Sequence, residues 1–132
     1  MARAFSQVSI LVTEFLIHLK QHASHSGMTI AGWSDGKIRA FKPQSGKLMY
    51  LIHDAHANGG VTAISGTKDS KFIISGGVDG QVRVWSINAQ SQRMVASMKE
   101  HKGAISSIKL NKDDTECISS SADGTLICTH EA

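Results

Sequence analysis

"SGGVDGQVRVW", residues 75–85, runs from a patch of small residues into an alternating stretch that ends on one of only two tryptophans in the chain. Glycine-rich segments of this kind either cradle a ligand or reverse the chain. A phosphate-binding loop opens a helix, because it uses the amide groups of the helix N-terminus. Here Gly80 is followed by Gln81-Val82-Arg83-Val84-Trp85, polar and apolar by turns, which is the period of a strand. Asp-Gly between two such runs is a hairpin signal, since a tight hairpin turn needs a positive φ that glycine adopts at no steric cost. The segment therefore predicts two antiparallel strands joined at Asp79-Gly80.

The same arrangement recurs. Asp35-Gly36, Asp79-Gly80 and Asp123-Gly124 are spaced 44 residues apart, within "TIAGWSDGKIRAF" (29–41), "IISGGVDGQVRVW" (73–85) and "CISSSADGTLICT" (117–129). Ahead of the second and third turns lie "AHANGGVTAI" (55–64) and "EHKGAISSI" (100–108), each a histidine, a glycine-bearing loop and a strand of small apolar residues. After the first two hairpins, "KLMYLI" (47–52) and "RMVASM" (93–98) add a further strand each. Four strands in a unit of 44 residues is the period of a propeller blade.

On these residues the chain resembles the WD-repeat family of β-propellers. The expected fold is all-β, a partial propeller of about two and a half four-stranded blades, divided as 27–54 (partial), 55–99 (complete) and 100–132 (truncated). Residues 1–26 match no blade; they form a short non-repeat segment, helix or strand. In the family, a His, a Ser or Thr, the turn Asp and a Trp form a hydrogen-bonded set within each blade. The resemblance implies this set at His56, Ser75, Asp79 and Trp85. It implies a partial set at His101, Ser119 and Asp123, where Thr129 stands for the Trp, and a weaker one at Asp35 and Phe41, where Ala31 stands for the Ser. An imidazole N–H and a hydroxyl are suitable donors to a buried carboxylate, and the indole N–H anchors the large ring. His-Ser-Asp is also the trio of a hydrolase, but Ser75 lies within a strand, not on a strained elbow, and the group repeats once per unit.

A longer stretch, "SDGKIRAFKPQSGKLMYLIHDAH" with "GVTAI", "ISGGVDGQVRVW" and "EHKGAISSIK", is similar to a cilia- and flagella-associated group of WD-repeat proteins found inside axonemal microtubules. That similarity spans about residues 28–127. It implies a non-catalytic scaffold of cytoplasm and cilium or flagellum whose partners are other proteins, tubulin or axonemal components, with no cofactor. The alternative is a generic WD-repeat adaptor of another cytoplasmic complex. The family's rings have more blades than are present, so a truncated isoform or fragment is expected, the alternative being a short protein that assembles with its own copies; open blade faces would allow self-association.

Composition supports a protein-binding rather than a nucleic-acid or membrane reading. The chain has 132 residues, 41% hydrophobic and 19% charged, with a net charge of +3. The basic residues form no dense run and no aromatics interleave them, so no nucleic acid is expected. "FSQVSILVTEFLIHLK" (5–20) is too short and, with Glu14 and His18, too polar to span a membrane. His18, His22 and His25 share a face if that segment is helical, but no Cys or carboxylate completes a zinc set, and no metal is expected. Trp33 stands where the other units have Gly77 and Ser121; it is either a contact anchor for a partner or a filler of the incomplete first blade.

Overall fold

A computed structural model describes residues 29–130 apart from 43, 57, 58, 70 and 89; the N-terminal segment 1–26, with His18, His22 and His25, lies outside them. Among the described residues there are ten strands and no helix, hence none long and apolar enough to cross a membrane. The first sheet holds β1 (Thr29–Gly32), β2 (Ile38–Phe41) and β3 (Leu48–Ile52) in that order. The second holds β4 (Val61–Gly66), β5 (Phe72–Gly77), β6 (Val82–Ile87) and β7 (Gln92–Met98), also in chain order. β8 (Ile105–Leu110), β9 (Glu116–Ser121) and β10 (Leu126–His130) make the third. Every pairing is antiparallel, and the three Asp-Gly turns place Gly36, Gly80 and Gly124 at φ of 84°, 78° and 87°. The architecture is the expected one, an arc of propeller blades.

The second blade is a layer between the other two. Strand alternation sends Ile73 into one core, with Ile30, Ile38, Ile64 and Trp85, while its neighbour Ile74 enters another, with Ile105 and Ile108. β5 is accordingly buried on both faces from Ile73 to Gly77, as its continuous run of apolar and small residues requires. β7, outermost, is exposed from Arg93 to Ser97.

Contact between blades rests on a side chain of one entering a gap in the one before. Val61, at the head of β4, sits over Gly32 so closely that a Cβ on Gly32 would lie 2.4 Å from the Val61 Cγ1. Ile105, at the head of β8, sits over Gly76 in the same way, with its Cγ2 2.5 Å from where a Cβ would be. Both glycines and both intruding residues are 44 positions apart. Backbone bonds reinforce the first junction: the Val61 N–H donates to the Trp33 carbonyl (3.0 Å) and the His56 N–H to the Gly36 carbonyl (3.1 Å). At the second, the Lys68 N–H donates to the Asp114 carboxylate at 2.8 Å.

Candidate functional site

The loop leading into β4 carries His56, β5 carries Ser75, the β5–β6 turn carries Asp79 and β6 carries Trp85. The fold brings all four together. The indole N–H of Trp85 donates to Ser75 Oγ at 2.9 Å, and Ser75 Oγ lies 2.8 Å from His56 Nε2. On the other side of the ring, His56 Nδ1 is 3.1 Å from Asp79 Oδ1 and 3.3 Å from Oδ2. A carboxylate only accepts, so Nδ1 carries the proton and donates to Asp79, and Nε2 accepts from the Ser75 hydroxyl. The result is a directed chain, indole to hydroxyl to imidazole to carboxylate, in which each bond polarises the next.

This order corrects one expectation. Ser75 does not donate to the carboxylate; the imidazole stands between them, and the second donor to Asp79 is the Gln81 N–H at 3.0 Å. The reason is reach: a serine hydroxyl extends one bond beyond Cβ, and Ser75 sits in mid-strand while Asp79 is out on the turn. Burial lowers the pKa of His56 and outweighs the neighbouring Asp79 carboxylate, which raises it, so the ring is held neutral. Ser75 and His56 are both 0% exposed, which leaves no path for a substrate to the hydroxyl.

The third blade solves the same problem with one more member. His101 Nε2 lies 2.8 Å from Ser119 Oγ, as in the second blade, but its Nδ1 meets Thr125 Oγ1 at 2.7 Å and stands 3.8 Å from Asp123. The Thr125 hydroxyl donates onward to Asp123, which also accepts from the Lys102 N–H at 2.6 Å. Those bonds, Thr125 first, hold the Asp123 carboxyl well below the usual carboxylate range. Thr125 was not among the expected residues; the matching positions hold Gln81 and Lys37, whose side chains do not enter the set. Backbone pairing sets Thr129, the stand-in for Trp, opposite Cys117.

In the first blade Asp35 instead pairs with Arg39 at 3.0 Å and accepts the Lys37 N–H at 3.0 Å. Phe41 and Ala31 are buried. Trp33, half-buried, lies beneath the Arg39 guanidinium, 4.4 Å from the ring centroid, and against Phe41 with centroids 6.0 Å apart. The second blade leaves no room for such a ring: a Cβ on Gly77 would lie 2.5 Å from His56 Nδ1. The sequence has Val12, not histidine, 44 residues before His56.

Among the described residues no three metal-ligating side chains converge. The family model described as WD domain, G-beta repeat matches residues 46–86 and 92–128. Over 98 residues the chain is 51% identical to Cilia- and flagella-associated protein 52 of Homo sapiens and 53% to that of Mus musculus. To the protein of that name from Chlamydomonas reinhardtii it is 54% identical over the same length. Each alignment takes in 74% of this chain and 16% of the relative, so the chain spans about a sixth of the length of the proteins it matches. Each matched repeat starts at the outer strand of one blade, β3 or β7, and runs through three strands of the next, and the two together cover more than half of the chain, which belongs to the WD domain, G-beta repeat family.

Proposed function

We propose that the chain is a non-catalytic protein-interaction scaffold of the ciliary or flagellar axoneme, associated with doublet microtubules through tubulin or other axonemal proteins. The observation that carries the non-catalytic reading is the sealed hydroxyl of Ser75, committed between His56 and Trp85 with no exposed surface. A hydrolase needs its nucleophile open to substrate. The His-Ser-Asp-Trp set acts as an internal lock: it ties the loop before β4, the middle of β5, the turn and β6 into one rigid blade, and rigid blades present their edges and loops to partners. The ciliary part of the reading draws on the names of the relatives. Trp33 is a candidate partner contact at the rim.

Co-sedimentation of the purified chain with doublet microtubules tests this, beside an unrelated protein of equal net charge. Enrichment over that control is expected; equal recovery would remove the microtubule reading. Replacing Ser75 by Ala separates scaffold from enzyme, since a scaffold loses stability and has no turnover to lose.

A further inference from the structure

We propose that the outer strands of the first two blades form a docking edge for an extended, acidic and apolar segment of a partner protein. The inference rests on the scaffold reading above and names the surface it would use. Its basis is a repeated triplet. Leu48 pairs with Phe41 across β2–β3, and Met94 pairs with Trp85 across β6–β7; Phe41 and Trp85 hold matching places in their blades. Lys47-Leu48-Met49 and Arg93-Met94-Val95 are therefore the same position twice, a cation followed by two large apolar residues. All four apolar side chains are strongly exposed, Leu48 and Met49 at 46%, Met94 at 45% and Val95 at 47%.

β3 and β7 each end their sheet, so their outer N–H and C=O groups have no strand partner among the described residues. Edge strands are normally guarded by charge, a proline, a bulge or a very short length. β7 has seven residues; a register shift leaves Val95 as a single bulged residue, but the exposed centre, Met94-Val95-Ala96, carries neither charge nor proline. A long, half-apolar edge without charge or proline at its centre suits strand addition by a partner, with main-chain bonds giving affinity and side chains giving choice.

Charge decides what the partner must carry. Residues 37–52 and 80–99, which carry β2–β3 and β6–β7, hold seven of the 14 basic residues and none of the 11 acidic ones. Arg39 is neutralised by Asp35, and Arg83 is spent on the Ala55 carbonyl at 2.7 Å. Lys42, Lys47, Arg93 and Lys99 form no ion pair among the described residues. A basic partner would be repelled and a neutral one would leave these cations unanswered, so an acidic segment with apolar residues in alternation fits.

The test uses the full chain and fluorescent peptides of about eight residues, the reach of one strand, alternating Glu-Val, Glu-Ser or Lys-Val. Anisotropy should show Glu-Val binding at least about tenfold more tightly than either control, a margin of about 1.4 kcal/mol. Hydrogen exchange should slow in residues 92–98 on binding. Lys47→Glu with Arg93→Glu should weaken Glu-Val binding at least about tenfold, while Lys109→Glu with Lys112→Glu, an equal change of net charge on the third blade, should not. Equal binding of Glu-Ser, equal loss in both double variants, or protection appearing elsewhere than β7 or β3 would overturn the docking edge. Microtubule co-sedimentation that survives Lys47→Glu with Arg93→Glu would also overturn it while leaving the scaffold reading standing; loss of co-sedimentation by the unsubstituted chain would remove the scaffold reading instead.

Discussion

Replacing Gly76 by alanine should destabilise the second blade by wedging it from the third. Gly76 has no unusual φ, so the substitution carries no backbone penalty, and the less flexible unfolded chain would by itself favour alanine by about 0.4–1 kcal/mol. Against that stands the new methyl carbon, 2.5 Å from Ile105 Cγ2, 2.7 Å from its Cβ and 3.0 Å from its Cγ1. Ile105 is 1% exposed and has no empty side to retreat to. Overpacking of this kind costs about 1–3 kcal/mol, so the net loss should be about 1–2 kcal/mol. Ile105→Ala alone should cost about 2–5 kcal/mol through the cavity it leaves. In the double variant the methyl of residue 76 occupies part of that cavity, and two of the three close contacts are gone. The double loss should then fall short of the sum of the single losses by about 1 kcal/mol. Urea unfolding followed by tryptophan fluorescence measures all four corners of this cycle. Strict additivity, or a Gly76→Ala variant as stable as its parent, would refute the idea that Ile105 in the gap over Gly76 holds the two blades in register.

Asp79→Ala strips the acceptor from the His56 Nδ1–H and the Gln81 N–H, and its unfolding midpoint should fall by an amount equivalent to about 1–3 kcal/mol; an unchanged midpoint would sink the lock. Because the folded chain holds His56 at a lowered pKa, it binds fewer protons than the unfolded chain, so His56 contributes stability above its ordinary value of 6.5 and that contribution is lost as pH falls below it. A His56→Gln variant should accordingly show a shallower decline of unfolding midpoint through that window than the parent, and parallel curves would count against a neutral ring. Gly80 and Gly124 share a positive φ, but a Cβ on Gly80 would meet the His101 carbonyl at 2.8 Å whereas one on Gly124 would meet nothing within 4 Å. Gly80→Ala should therefore cost about 1–3 kcal/mol more than Gly124→Ala in the same denaturation assay; equal losses would remove the steric difference between the turns.

The repeat, the strands and the turns were open to reading because each depends on local chemistry: Asp-Gly requires a positive φ wherever it turns a hairpin, and alternation survives one residue at a time. That four residue types would meet in the second blade was implied by the family resemblance. Which atom bonds which did not, because the positions of Ser75 and Asp79 say nothing of an imidazole lying between them. Thr125 escaped notice for a similar reason: a threonine two residues past a turn aspartate is ordinary, and only the 3.8 Å between His101 and Asp123 gives it work. The gaps over Gly32 and Gly76 had a visible signal, two strand glycines 44 residues apart, each with a β-branched residue 29 positions on. Their meaning needed the third dimension, because glycine inside a strand marks a close approach without saying of what.

That recurring gap makes the blades interchangeable parts. Excising one full 44-residue unit between Gly32 and Gly76 would seat Ile105 over Gly32 in place of Val61, a difference of a single carbon, whereas removing any other length would leave the gap facing the wrong side chain. The chain already honours that constraint within itself. From Phe41 to its partner Leu48 is seven residues and from Trp85 to Met94 is nine, yet the return from Ile52 to Val61 takes nine and that from Met98 to Ile105 only seven. Two residues added to the outer hairpin are withdrawn from the inward crossing, so the pitch stays at 44. Length is thus free to drift along the periphery, where the proposed docking edge lies, while the axle side keeps its gauge.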